Sequence, residues 1–170
     1  METAWVTDTL AVTVCDVDFL DPALAEEPDV RERGVRVEVR PVVTTYGGSV
    51  YASPTRVLQQ AVCRIDLLES APGHADRMHW HPVMAAGEPG ERTFDPAMAA
   101  APTAWLRARL ADLGDLLVRA GVLLEPHTAD AAALSVSVEA IVARVEEGLQ
   151  RARGPWPQVR HDARGLAPVS

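Results

Sequence analysis

The first half of the chain alternates apolar and polar residues with the period of two that is typical of half-buried β-strands. Residues 6–14 alternate valine or leucine with threonine, and Asp8 is the one polar residue on the apolar side. The alternation returns over residues 35–43, where Pro41 lacks a backbone N–H and therefore indicates a sheet edge or a bulge. Each of these two segments predicts a strand.

Turn signals lie between and after these strands. Residues 16–34 contain two prolines and several acids, which predicts a long connection, or a loop with one helical turn over residues 22–27. Loops of this length inside a domain often serve as lids or partner surfaces. Farther along, Gly47 and Gly48 predict the tight turn of a hairpin.

Residues 53–69 fit two patterns. Some of their apolar residues have helical spacing, whereas from Ala61 to Leu67 every second residue is apolar, as in a strand. We favour a strand over residues 61–69. A turn with proline and glycine follows, so we expect residues 76–82 to return as the antiparallel neighbour of this strand.

The second half of the chain has the spacing of amphipathic helices. A first helix carries leucines spaced by four, three and four residues, begins near Pro102 and ends at Gly121. A second helix starts near Thr128 or Asp130 and presents one apolar stripe as far as Leu149. Such helices must bury their stripes against each other or against the sheet.

The order of these elements predicts an α+β fold, in which an antiparallel sheet of about four or five strands from the N-terminal half is packed by two C-terminal helices. We assign residues 1–153 to this single domain. Residues 154–170 form a tail that contains proline and glycine, and we expect an extended arm or a disordered end. Trp156 is able to anchor that tail on the body or on a second subunit.

The chain is acidic, with a formal net charge of −8 at pH 7 and a pI near 5.0. This charge opposes nucleic-acid binding, because that binding depends on clustered cations that neutralise phosphates. No stretch approaches the roughly 18 apolar residues that cross a bilayer, and no secretion signal is present. We expect a cytoplasmic protein that binds a small-molecule ligand or substrate, contacts neither nucleic acid nor membrane, and can form a homodimer.

Two cysteines, Cys15 and Cys63, stand far apart in apolar, strand-like surroundings. They show no CxxC spacing and no accompanying secretion signal, so a disulfide or a thiolate role is the less favoured alternative. We interpret both as small buried hydrophobic residues.

The clearest capacity for chemistry lies in two histidines, His79 and His81, one residue apart. A strand turns alternate side chains to the same face, so both imidazoles would point to one place. Imidazole suits zinc or iron, and one carboxylate completes a site that leaves positions open for water or substrate. The candidate carboxylate ligands are Glu69, Glu88 and Asp95. The same pair is also compatible with a proton-transfer site or a hydrogen-bonded polar core.

The spacing of Gly73, His79 and His81 resembles the opening of the first motif of the cupin family, in which two histidines and a later glutamate bind a metal. That resemblance implies a metal site. The family's glutamate would fall at position 85 or 86, where this chain has Ala85 and Ala86, and the helical second half does not suit a cupin barrel. We therefore treat the likeness as a local similarity in residue spacing and not as membership of the family.

A polar cluster surrounds the histidines if residues 61–69 and 76–82 pair, because Arg64, Asp66 and Arg77 then lie on or near one sheet face. An aspartate beside a histidine tunes imidazole for acid/base catalysis, and an arginine can hold a substrate carboxylate through two bonds. We assign these three residues a catalytic role. The alternative is an exposed face whose ion pairs contribute little.

The leading hypothesis is a small soluble enzyme that acts on a polar small molecule, with the histidine pair and a carboxylate as a metal site or an acid/base site. The competing hypothesis is a non-catalytic oligomeric accessory or ligand-binding protein with structural histidines. A nucleophilic mechanism has no support, since no serine stands in a Gly-x-Ser-x-Gly turn and neither cysteine has a histidine nearby in sequence.

Overall fold

The computed structural model describes residues 1–20, 31–49 and 51–156, and the backbone of residues 159–162 and 165–168. The strands that precede the helices are β1 Glu2–Val6, β2 Leu10–Leu20, β3 Arg31–Thr45, β4 Thr55–Leu58, β5 Cys63–Glu69, β6 His79–His81, β7 Met84–Ala85 and β8 Glu88–Pro89. The helices are α1 Pro96–Ala100, α2 Pro102–Ala111, α3 Leu113–Arg119, α4 Thr128–Ser135 and α5 Val138–Ala152. Two final strands are β9 Val159–Asp162 and β10 Gly165–Pro168.

The main sheet has the strand order β1-β2-β3-β5-β6, and all its neighbouring strands are antiparallel. The short β4 pairs with the end of β3. The predicted α+β class is thus confirmed: an antiparallel sheet from the first half of the chain carries helices from the second half. The described residues contain five helices where two were predicted.

The single strand predicted over residues 6–14 is wrong, because the chain turns there. β1 ends at Val6 and β2 begins at Leu10, so these residues form a hairpin. The backbone N–H and the hydroxyl of Thr7 both donate to the Leu10 carbonyl, each at 2.8 Å, and this closes the turn around Asp8. The polar exception in the alternation was the sign of the turn.

The long connection predicted over residues 16–34 is also corrected, since β2 continues to Leu20 and β3 starts at Arg31. The helical turn predicted over residues 22–27 lies outside the described residues.

The strand predicted over residues 61–69 is confirmed as β5, and its predicted antiparallel neighbour is β6. Along β3, pairing passes from β5 to β4 through a bulge: Val39 is opposite Cys63 and Val42 is opposite Leu58, so two residues face four. Pro41 lies in that bulge, where its missing N–H interrupts no ladder to β4 or β5.

The apolar spacing predicted two continuous long helices, but each of them is interrupted in the structure. The carboxylate of Asp112 accepts a 3.0 Å bond from the backbone N–H of Asp115 and caps α3, so α2 ends before it. Leu110 and Leu113, on either side of the break, are both buried. Apolar spacing therefore continues through a change of helix, because the packing surface does.

The hydrophobic core lies between the helices and one face of the sheet. α5 packs on β2 and β3 with a fully buried stripe that includes Ile141 and Val145. Gly148 permits the close approach, because a Cβ at that position would lie 2.5 Å from a methyl group of Val35. None of the helices in the described part of the chain combines the length and apolarity needed to cross a bilayer.

In the predicted C-terminal tail, the indole N–H of Trp156 donates to the Ala152 carbonyl at the end of α5. The guanidinium of Arg31 lies 5.5 Å from the centre of the indole ring. Trp156 thus contacts the domain, and the backbone beyond it forms the antiparallel pair β9 and β10.

Candidate metal centre

The face of the sheet that points away from the helices carries two rows of polar residues, each made of side chains directly opposite one another on β2, β3, β5 and β6. The first row is Cys15, Arg36, Asp66 and His79. The second row is Thr13, Glu38, Arg64 and His81. Antiparallel register alone brings these residues together, since they come from four separate strands.

Three members of these rows form a compact group at the β5–β6 edge of the face. Asp66, His79 and His81 are only 2%, 3% and 4% exposed. Each offers one ligand atom, and these atoms all lie within 4.8 Å of one another. Two imidazoles and a carboxylate at this separation are able to hold a metal ion.

Backbone carbonyls fix the orientation of both imidazole rings. Nδ1 of His79 lies 2.8 Å from the Arg77 carbonyl, and Nδ1 of His81 lies 2.8 Å from the Gly90 carbonyl. A carbonyl oxygen only accepts, so in each neutral ring the proton resides on Nδ1 and Nε2 keeps its lone pair. This is the arrangement that metal-binding histidines usually have.

Burial also favours the uncharged form of His81. It lowers the pKa of the imidazole, and the neighbouring His79 lowers it further, whereas the hydrogen bond to the Gly90 carbonyl opposes the shift. The net pKa lies below the usual value for histidine. The ring is therefore held in the neutral state that ligation requires.

Arg36 orients the carboxylate of Asp66. Its Nε donates to Oδ1 at 2.6 Å, and a terminal nitrogen lies 3.4 Å from Oδ2. Oδ2 in turn lies 3.5 Å from Nε2 of His79. The buried carboxylate is thus compensated by a cation on one side and faces the imidazole with its second oxygen.

The second row leads to an open cavity of about 260 Å³. Glu38 is buried there and accepts from Nε of Arg64 at 3.0 Å and from Arg40. The cavity is also lined by Glu88. A polar recess therefore begins at the residue directly opposite His81.

The carboxylate beside the histidines is Asp66, to which the sequence analysis had assigned acid/base catalysis. Glu69, a candidate ligand, is fully buried on the helix side of β5, where it accepts from Arg153 at 2.6 Å and from the Gly73 N–H at 2.6 Å. Residues 66 and 69 differ by three positions, so they face opposite sides of the sheet. The structure does not bring Glu69 to the histidines.

Asp95 and Glu88, the other candidate ligands, lie outside the compact group. Asp95 caps α1 by accepting from the Ala97 N–H at 2.9 Å, and it also accepts from the Trp105 indole at 2.7 Å. Glu88 is exposed on β8 at the rim of the cavity. Asp95 is thus the N-cap of α1, and its carboxylate is occupied by these contacts.

Arg77, a predicted catalytic residue, supports the site through its backbone. It ends the short 3-10 helix Ala75–Arg77, and its carbonyl holds the His79 ring. The guanidinium lies 3.8 Å from the Asp76 carboxylate. Arg64, by contrast, lies in the second row, as the predicted hairpin required.

Residues outside the sequence-based candidates complete the surroundings. The Phe94 ring lies 5.8 Å from the His79 ring on the polar face. On the other face the ring centre of Trp80 lies 5.5 Å from that of Trp105, within the core cluster. Phe94 and Arg36 escaped the sequence analysis, because only the pairing of distant segments places them here.

The chain was compared with protein-family models, with curated proteins and with solved structures, and none of the three comparisons found a match.

Proposed function

We propose that the protein is a small enzyme that uses a divalent transition metal, zinc or iron, to act on a polar small molecule. Asp66, His79 and His81 would be the ligands. Three protein ligands leave coordination positions open for water or substrate. A metal held there would supply Lewis-acid activation to a substrate or water oxygen.

The observation that carries this proposal is the fixed orientation of the two rings. Their Nδ1 atoms are bound to backbone carbonyls, so both Nε2 lone pairs are free of these bonds, and that of His79 lies 3.5 Å from an Asp66 carboxylate oxygen. A polar core without a ligand function would gain more from a bond between Nε2 and a donor. The compact group instead gathers three acceptor atoms, which a cation satisfies.

Metal titration tests the proposal. Protein purified without a histidine tag is analysed for bound metal, and metal-free protein is titrated with Zn²⁺ and, under anaerobic conditions, with Fe²⁺. We expect a single ion per chain and an affinity at least ~10-fold lower in His79→Gln and in His81→Gln.

Two histidines outside the site serve as matched controls. His74 is exposed, and His127 contacts Thr9 at another part of the domain. His74→Gln and His127→Gln should therefore bind metal like the wild type. A wild-type chain that binds neither ion, or equal affinity in all four variants, would refute the proposed site.

Burial of the three ligands favours a second candidate, a structural metal in a non-catalytic protein. Structural sites are closed and contribute directly to folding. Azide added to the Co²⁺-loaded protein separates the two: an open site changes its visible absorption, whereas a closed site does not.

A further inference from the structure

Arg64, like Arg36, lies directly opposite a proposed metal ligand in the strand register. Its Cα is directly opposite that of His81 on β6. Side chains in directly opposed positions share one face and lie within contact distance. Arg64 also lines the open cavity of about 260 Å³. Arg64 therefore belongs both to the polar row that contains His81 and to the lining of the recess.

The guanidinium of Arg64 uses only part of its bonding capacity. Nε donates to Glu38, and the side chain is 17% exposed. Among the described residues, no partner hydrogen-bonds to its two terminal nitrogens. A guanidinium fixed at Nε with its terminal nitrogens available presents the fork that binds carboxylate or phosphate oxygens.

The neighbouring arginines are occupied. Arg36 donates from Nε and from a terminal nitrogen to Asp66. Arg40 donates to Glu38 and, at 3.0 Å, to the Gln59 carbonyl. Arg64 is thus the member of the polar face best placed to receive a ligand. Its bond to Glu38 fixes the fork in advance, which reduces the entropy lost on binding.

The local charge suits an anion once a metal is present. Arg36, Arg40 and Arg64 are balanced by the carboxylates of Glu38, Asp66 and, at the rim, Glu88. A divalent cation at the compact group would add two positive charges to this balance. The chain as a whole carries −8, so this face would be a local exception.

We propose that the substrate is a small oxyanion, a molecule with a carboxylate or phosphate group that the terminal nitrogens of Arg64 bind in the open cavity beside the metal. This inference rests on the proposed function. It deepens that function by assigning Arg64 as the residue that selects the substrate class. A neutral polar molecule would leave the fork without a charged partner.

Anion titration of the Co²⁺-loaded protein tests this assignment. Acetate and inorganic phosphate are the probes, and calorimetry measures their affinity for the wild type and for Arg64→Gln, Arg64→Lys and Arg119→Gln. We expect Arg64→Gln to weaken the preferred probe by about tenfold, and Arg64→Lys to weaken it less, because the charge remains but the fork is lost. Arg119 lies on the exposed face of α3, so its variant should bind like the wild type.

Co²⁺ affinity is measured in each variant and should stay within about twofold of wild type, since Arg64 is not among the proposed ligands. Whichever probe binds more tightly assigns the group, carboxylate or phosphate. Equal affinity in the wild type and Arg64→Gln, or no binding of either probe, overturns the anion site.

The two proposals fail in different ways. A wild-type chain that takes up no Co²⁺ contradicts the metal centre. The same probes are then titrated into metal-free protein: binding that depends on Arg64 supports the anion site, and its absence overturns it.

Discussion

The two faces of the central sheet are built from alternate residues of the same strands, yet they differ in what they can do. On β5, Ile65 and Leu67 are buried against the helices, whereas Arg64 and Asp66 belong to the polar rows. Both faces are largely shielded from solvent. The helices cover the apolar face, and on the polar face Asp66, His79 and His81 are buried as well.

This difference separates stability from chemistry along a single strand. The apolar face gains free energy from removal of hydrocarbon from water, which depends on volume and packing. The polar face consists of compensated charges whose net contribution to stability is small. Mutation of a residue on the apolar face should therefore lower stability and spare metal binding. Mutation of its neighbour on the polar face should lower metal affinity and affect stability little.

The largest effect on stability is expected from Ile65→Ala. The side chain is 1% exposed in the core cluster, so its truncation removes buried methyl groups and leaves a cavity. We expect a loss of about 2–4 kcal/mol in the free energy of unfolding, measured by urea titration. Metal stoichiometry should be unchanged while the variant is folded. A loss of metal binding in the folded variant would contradict the separation of the two faces.

Asp66→Asn, one position away, should affect metal binding far more than stability. The amide keeps an acceptor for Arg36 but removes the ligand charge, so we expect metal affinity to fall by about 100-fold. The unfolding free energy of the metal-free protein should fall by only about 1 kcal/mol, because Arg36 is 29% exposed and partly hydrated. Isothermal titration and urea unfolding check the two values. A destabilisation as large as that of Ile65→Ala would show that the polar face also carries the fold.

Asp16 tests the difference between the two faces in another way, because it is a charged residue on the helix side of the sheet. Burial raises its pKa, but hydrogen bonds from Arg151 and Arg144 outweigh this and hold the pKa below its ordinary value of 3.8. The folded state thus binds its proton less readily than the unfolded state. Its stabilisation is present above pH 3.8 and is lost as the pH falls through the lower folded pKa.

Asp16→Asn should therefore lower the unfolding free energy by about 1 kcal/mol near neutral pH. The difference from wild type should shrink in acid below pH 3.8, as urea titrations across this range would show. A constant difference at all pH values would mean that the carboxylate charge is not the cause.

The smallest effect concerns the two cysteines, which lie on opposite faces. Burial raises the pKa of Cys63, on the core side, to about 12. Cys15 lies in the polar first row and is only half-buried, although burial raises its pKa as well. In folded protein at about pH 8, a disulfide reagent should label Cys15 slowly and Cys63 only after unfolding. Labelling of a Cys15→Ser variant before unfolding would contradict this order.

Part of the site can be predicted from the sequence, because the period of a strand is visible within one short segment. The alternation of β5 and the His-x-His spacing of β6 predicted their pairing and placed Arg64 and Asp66 near the histidines. Glu69 is an even number of positions from Ile65, so the two side chains lie on the same side of the strand. The strand period alone therefore indicates that Glu69 lies on the apolar face and not beside the histidines.

Other features had no local signal. Arg36 is 30 positions from Asp66 in sequence, and only the pairing of β3 with β5 makes them partners. The helix breaks at Asp112 and near Val136 were hidden for the opposite reason, since apolar spacing continues across them.

The α+β class, the two faces of the sheet and the histidine pair can be predicted from the amino acids alone, because each follows from side-chain periods of two or 3.6 residues within one segment. Tertiary structure decided that Asp66 is the carboxylate beside that pair, that Arg36 compensates it, and that Arg64 borders the cavity. These relations depend on register between strands distant in sequence. Register is set when the whole apolar face packs on the helices, because a slip of one residue would turn the polar rows into the core.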